Sequence, residues 1–455
     1  MKKNDEFELY IEDMSVDGAG IGHKDGMTFF VKDAVVGDTI TAGVTKLKKT
    51  YGYARLISVV RASPDRVVPA CEASKICGGC TMMALSYEKQ LEVKERQVRN
   101  AIQRIAGIHE QEIERAKRPI VGMEDPFRFR NKAQYPVGED AYGNIVIGYY
   151  AAHSHRIVEC SDCKIGQDGD AQIRKILKKY MREQNVRPYN EKTGTGSIRH
   201  LLIRYGLYSG QVMVCVVSAV RKLLGTERLI AALRNVPGMT SIVMNINTRK
   251  DNVILGDETV TLWGEDRIRD TLNGVEFMIS AKSFYQVNPR QTEKLYAKAV
   301  EYAAPGGHEN VWDLYCGIGT MTLLLAKCAK HVYGVEAVPE AIADAKENAR
   351  HNGIENVTFV EGKAEEVLKD AKLITRPDVI VIDPPRKGCD EACLSAMLSA
   401  APGRIVYISC NPSTLARDLK MLTEGGYRLE EYTPFDQFGH SMHVECVVLM
   451  SRVKA

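Results

Sequence analysis

The sequence predicts a multidomain chain: a small N-terminal β-barrel, a mixed α+β middle and a C-terminal doubly wound α/β part. Three observations lead there. At 455 residues the chain is longer than one hydrophobic core ordinarily serves. Residues 5 to about 60 consist of short β-rich runs broken by the turn clusters Asp17-Gly18, Asp25-Gly26 and Val36-Gly37-Asp38. From about residue 281, apolar strands alternate with helical segments, the pattern of a parallel sheet covered on both faces.

Composition sets the remaining bounds. The chain is 45% hydrophobic and 26% charged, as in soluble globular proteins. It has no apolar stretch of membrane-span length, and the opening "MKKNDEFELY" lacks the apolar core of a signal peptide. A cytoplasmic protein with no membrane partner is expected, with a monomer as the default state. The formal charge of +3 does not by itself announce a polyanionic partner, so any nucleic-acid contact must rest on local patches. Twelve cysteines without an export signal argue for metal or catalytic use of some thiols rather than a disulfide framework.

In the first sixty residues, Lys46, Lys48 and Lys49 interleave with Tyr51 and Tyr53. Cations beside stackable rings suit a phosphate backbone and bases. Residues 61 to 280 begin with "CEASKICGGC", which places Cys71, Cys77 and Cys80 in a C-x5-C-x2-C run around two glycines. A fourth ligand is expected from "HRIVECSDCKI", where Cys160 and Cys163 compete, and the spacing alone allows zinc or an iron–sulfur group. It differs from the C-x3-C-x2-C of radical S-adenosylmethionine enzymes. A helix is expected from about Tyr87 to Ile105, with Leu91, Val98, Ile102 and Ile105 on one stripe. "RFRNKAQYP" at 128 to 136 sets three cations beside Phe129 and Tyr135.

The C-terminal part carries the chemistry. "DLYCGIGT", Asp313 to Thr320, follows a strand and opens a helix, and the next strand ends in the acid Glu336, placed to grip ribose hydroxyls. Its D-x-x-x-G-x-G spacing lacks the later glycine of dinucleotide-binding turns and resembles class I S-adenosylmethionine-dependent methyltransferases. "IDPPRKG", Ile382 to Gly388, holds Asp383 at a sheet edge in a turn stiffened by two prolines. Adenine N-methylating enzymes have an aromatic where Arg386 stands, which argues against an exocyclic amine as target.

"VYISCNPSTLARDL" exposes Cys410 where a strand stops and the Asn411-Pro412 turn opens a helix, a position that can lower a thiol pKa. Beside a methyl donor such a thiol has a purpose. Carbon 5 of uracil is too weakly nucleophilic to attack a sulfonium methyl until a thiolate adds at carbon 6. A carboxylate must later remove the carbon-5 proton. Glu445 in "HSMHVECVVL", an acid in an apolar β-rich run, is the candidate.

"DLYCGIG", "IDPPRKG", "YISCNPSTLARDL" and "HVECVVL", in this order, resemble the RNA (uracil-5-)-methyltransferase family, most closely its TRAM-bearing branch acting on 23S ribosomal RNA. The resemblance implies a class I, Rossmann-like methyltransferase domain over 281–455. It implies an OB-like TRAM RNA-binding barrel over 1–60 and a central domain with the cysteine cluster over 61–280. It also implies that the helix near 86–107 packs on the catalytic domain. In this likeness Cys410 is the nucleophile and Glu445 the base. Gln286 of "SFYQVN", Tyr315, Glu336 and Asp383 hold S-adenosylmethionine, while Phe284 and Asn288 touch the target base or fix the loop. Cys71, Cys77, Cys80 and Cys163 would hold a [4Fe–4S] cluster with a structural or RNA-positioning role. A transfer-RNA uracil methyltransferase is the alternative enzyme, and an iron–sulfur RNA-binding factor the non-catalytic one.

Overall fold

The structure is a computed structural model that describes residues 1–152, 154–369 and 375–453. Its N-terminal strands, Glu6–Tyr10, Asp13–Met14, Gly20–Lys24, Met27–Lys32, Thr39–Leu47 and Tyr51–Arg61, form one six-stranded sheet. Pairing is antiparallel except where Met27–Lys32 runs parallel to Tyr51–Arg61. Leu9, Ile11, Phe29, Val31, Ile40, Ala42 and Val44 are buried against one another, so the sheet carries its own core. The expected barrel is not closed by hydrogen bonds: Glu6–Tyr10 and Asp13–Met14 are the sheet's two edges and do not pair. Packing of inward apolar side chains, rather than a continuous ladder, brings the faces together.

A second six-stranded sheet runs in the order Glu258–Gly264, Met239–Ile246, Val212–Ser218, Ile198–Tyr205, Lys132–Glu139, Ile145–Ile147. Every residue of Val212–Ser218 is buried, because both faces of the sheet are covered. One face packs on the helices Gly169–Glu183 and Thr226–Leu233 through Ile173, Leu177, Leu229 and Leu233. Leu202, Met213, Cys215 and Val217 on the other face enter the core of the C-terminal sheet.

That C-terminal sheet positions the site. In chain order it comprises helix α1 (Tyr87–Ala101), α2 (Pro289–Ala303), β1 (Asn310–Leu314), α3 (Thr320–Ala326), β2 (His331–Glu336), α4 (Pro339–His351), β3 (Val357–Glu361), β4 (Val379–Ile382), α5 (Glu391–Ala400), β5 (Arg404–Ser409), α6 (Pro412–Glu424), β6 (Tyr427–Phe435) and β7 (Glu445–Arg452). The strand order is β3-β2-β1-β4-β5-β7-β6. The first five strands pair in parallel, whereas β7 pairs antiparallel with both β5 and β6. The strands that alternate with helices are thus parallel as expected, and the last hairpin, which that alternation does not cover, is antiparallel. Residues 436–444 join β6 to β7 with no crossover helix, and a parallel pairing needs one.

Helix α1 lies far upstream in sequence yet packs here. Val98 and Ile102 share a core with Leu314, Ile382, Tyr407 and Leu415. Ser86 caps its start by accepting the Lys89 N–H, and a π-turn, Ile102–Ala106, follows its end. The wider turn shifts the helical phase, so Ile105 is 41% exposed instead of lying on the apolar stripe with Val98.

Candidate active site

Four strand ends converge. β1 leads into Tyr315 and the glycine turn, β2 ends in Glu336, β4 runs into Asp383 and β5 into Cys410. Open α/β sheets hold ligands at this edge. Tyr315 adopts φ 65° and Gly317 φ 56°, left-handed residues on either side of Cys316 that turn the backbone sharply. A Cβ at Gly317 would meet nothing within 4 Å, so the absent side chain leaves open space beside the cavity. Glu336 accepts the N–H of Gly317 at 3.2 Å and of Val338 at 2.9 Å, which locks the turn to the end of β2.

The facing of Cys410 and Glu445 is a matter of register. β5 and β7 pair antiparallel, and their last partners are Ser409 and Cys446. The next position along sets Cys410 opposite Glu445, where side chains of an antiparallel pair share one face. The sequence folds this way because β5 is apolar to its end and Asn411 then opens α6. Its side chain accepts the Ser413 N–H at 3.0 Å and Pro412 takes the first helical position.

A cavity of about 520 Å³ gathers all six of the residues expected to act or to bind the donor: Gln286, Tyr315, Glu336, Asp383, Cys410 and Glu445. Phe284, 68% exposed, also lines it. Asn288 does not. It is buried, caps α2 by accepting the Gln291 N–H, and donates to the Gln437 carbonyl at 3.2 Å, so it fixes the loop. Sequence reasoning had left Arg130, Tyr296, Phe438 and His443 out of the site, yet all four line the cavity. His443 had a signal, since it stands two residues before Glu445. Arg130 lay in a cationic run already marked for RNA.

The charges in this cavity oppose one another. Burial, with Asp383 beside it, pushes the Glu445 carboxyl up to about 8, against the pull of the Arg386 guanidinium. Burial raises Asp383 to about 7. Burial and the two acids push the Cys410 thiol up to about 11, although Arg386 draws it down. The expected lowering of that thiol is thus reversed: the helix N-terminus is outweighed by desolvation and by carboxylates from other strands. The resting sulfur is a thiol, and Arg386 is the cation that favours its ionisation.

Five of the six cysteines in residues 61–280 are neighbours, Cys215 being buried apart in the second sheet. Cys71 Sγ lies 3.8 Å from Cys160 Sγ, and burial raises the thiols of Cys77, Cys80 and Cys163, each of them raised further by Cys71, with Cys80 pushed up to about 12. Among the described residues, however, no three histidine, cysteine or acidic side chains stand close enough to share one ion, so the expected convergence is not seen. Each loop is held by its own backbone bonds, such as Ser74 N–H to Cys71 and Cys77 N–H to Ala73. The donor set itself fits a thiophilic group. The sulfurs are soft, and backbone N–H groups of Gly79, Ile165 and Gly166 already favour the thiolates of Cys77 and Cys163. Cys160, set against Cys71, is placed as well as Cys163 to serve. The neighbouring segment links this region to the cavity: Arg130 N–H donates to Ile165, and Asn131 Nδ2 to the Gln286 carbonyl at 3.1 Å.

Residues 227–453 match the tRNA (uracil-5-)-methyltransferase family. A protein of Halalkalibacterium halodurans named an uncharacterized RNA methyltransferase is 46% identical over 453 residues, spanning 99% of this chain and 98% of its own. A like-named protein of Listeria innocua is 47% identical over 456 residues, with 99% and 98% covered. The chain belongs to the RNA (uracil-5-)-methyltransferase family. Methyl transfer from S-adenosylmethionine to carbon 5 of uracil in RNA is the activity that membership gives it. The fold agrees. The crystal structure of Pyrococcus abyssi tRNA (uracil-54, C5)-methyltransferase with S-adenosyl-L-homocysteine superposes with a TM-score of 0.78 at 28% identity, over 98% of this chain and 100% of that one. The two chains share their architecture from end to end. Among the described residues no helix is long and apolar enough to cross a membrane.

Proposed function

We propose that this methyltransferase acts on a uridine of folded 23S ribosomal RNA through a covalent adduct between Cys410 and carbon 6 of uracil. The observation that carries the reading is the register that sets Cys410 opposite Glu445 inside the cavity holding Gln286, Glu336 and Asp383. Cys410 gives its proton to solvent, favoured by Arg386, and its sulfur bonds to carbon 6. The ring electrons move to an enolate on oxygen 4, and carbon 5 becomes nucleophilic. Carbon 5 takes the methyl from S-adenosylmethionine, leaving S-adenosylhomocysteine. Glu445 removes the carbon-5 proton, the double bond re-forms, and the carbon–sulfur bond breaks to return the thiolate. The thiolate takes back the proton Cys410 gave up, so the carbon-5 proton is the one that leaves per methyl transferred. In this reading residues 1–60 serve as the TRAM-like RNA-binding module and 61–280 as the cysteine-bearing domain. Residues 281–455, joined by the helix at 86–107, form the catalytic domain. Cys71, Cys77, Cys80 and Cys163 would hold a [4Fe–4S] group, which when bound ties the 71–80 and 160–163 loops together.

The test is incubation with RNA containing 5-fluorouridine, whose fluorine cannot leave as a proton does. A covalent protein–RNA complex is expected with wild type and with Glu445→Gln, and none with Cys410→Ala. An adduct that persists in Cys410→Ala removes the mechanism. Transfer RNA is the second reading, favoured by the Pyrococcus enzyme. Mapping 5-methyluridine in both RNAs with and without the gene decides between them.

A further inference from the structure

Helix α1 contributes three polar side chains, Tyr87, Gln90 and Lys94, along one stripe, and all three grip the 436–444 segment. Lys94 is fully buried and pairs with the fully buried Asp436 at 2.5 Å. Its ammonium also donates to the Phe438 carbonyl at 3.0 Å. Tyr87 Oη donates to the second Asp436 oxygen at 2.7 Å and accepts the Met123 N–H. Gln90 accepts the His440 N–H at 3.0 Å, and its amide nitrogen anchors to the Met82 and Leu85 carbonyls. His440 itself sits at φ 63°, in the left-handed region that few non-glycine residues adopt. The segment so gripped delivers Phe438, His443 and Glu445 to the cavity, with the Phe438 and His443 rings edge-on at 5.9 Å.

We propose that Lys94, with Tyr87 and Asp436, is a positioning device for the target-base side of the active site. A buried ion pair is weak evidence for stability, since apolar side chains of similar volume often serve the fold as well. What a hydrocarbon cannot supply is the simultaneous hold on the Asp436 carboxylate and the Phe438 carbonyl. Most of the donor side of the cavity, the Tyr315–Gly317 turn, Glu336 and Asp383, is built on other elements; the Gln286 loop touches the gripped segment through Asn288, which donates to the Gln437 carbonyl. The inference rests on the reading of Glu445 as a reacting group, and its readouts are separate from the covalent adduct.

Three variants of the whole enzyme test it: Lys94→Met, the double variant Lys94→Met/Asp436→Leu, and Tyr87→Phe. Lys94→Met alone strands a buried carboxylate and should lower the melting temperature sharply. The double variant should regain most of the wild-type melting temperature. It should also bind S-adenosylmethionine within twofold of wild type by calorimetry, yet lose tenfold or more in kcat for tritiated methyl transfer to RNA from a gene-deletion strain. Tyr87→Phe, which removes only a hydroxyl, should fold normally and lose about threefold in kcat with the same donor affinity. Recovery of kcat together with melting temperature in the double variant would reduce the pair to a structural role and overturn the proposal. So would an unchanged kcat in Tyr87→Phe. If wild type transfers methyl but forms no 5-fluorouridine adduct, the mechanism above falls while the kcat split still judges the grip.

Discussion

Glu445, Asp383 and Cys410 share one cavity, where burial disfavours the charged form of each and the two carboxylates also work against the Cys410 thiolate. The consequence for pH is definite. Glu445 has to be a carboxylate to take a proton, and burial holds it protonated until about pH 8. Methyl transfer at saturating substrates should therefore climb steeply with pH below 8 and keep climbing above it, because the Cys410 thiol, pushed up to about 11, must ionise as well. A rate flat from pH 6 to 9 would remove this carboxylate as the base. Stability runs the other way. The folded pKa lies above the unfolded value of 4.5, so folding binds the proton. The stability it brings is complete below about pH 4.5 and is lost as pH climbs through 8. Chain order made Cys410 and Glu445 recognisable, because a thiol after an apolar strand and an acid inside one both break the surrounding pattern. It could not reveal the raised thiol pKa, because Asp383 and Glu445 reach Cys410 from separate strands.

At the scale of elements, short-range chemistry was readable and long-range grip was not. The Asn411-Pro412 opening of α6 is one such local signal. Asn411→Ala should cost about 1 kcal/mol in denaturant unfolding by orphaning the Ser413 N–H. It should cost activity besides, because the same side chain donates to the Arg386 carbonyl at 3.2 Å. Asn411→Asp, which keeps the cap acceptor, should recover most of the stability but not that bond. By contrast, Lys94 and Asp436 are 342 positions apart, and nothing in a helix rich in Glu and Lys marks one lysine as buried. The π-turn after α1 was invisible for a related reason. A periodic stripe reads on smoothly through Ile105, whereas the insertion of one wider turn is decided by packing against α6 and its neighbours.

Across the whole molecule, the β character of the N-terminal residues was legible from their turn clusters, but the open edges of the sheet were not, since pairing partners leave no local trace. The middle segment's thiols were legible as a group, and their final arrangement is a question for the metal. Protein purified without oxygen should be brown and carry about four irons and four sulfides per chain. Replacing Cys77 by Ser should bleach it, and stoichiometric zinc with no visible absorption would replace the iron assignment. The topology of the last hairpin has its own consequence. β7 lies inside the sheet, flanked by β5 and β6, although it is made after both. A ribosome that has delivered everything through Met442 has already produced the sulfur, but the slot between two finished strands still stands empty. Until that slot fills there is no acid across from the sulfur, so an unfinished chain should have no catalytic competence, and half-made copies cannot methylate RNA at a reduced rate.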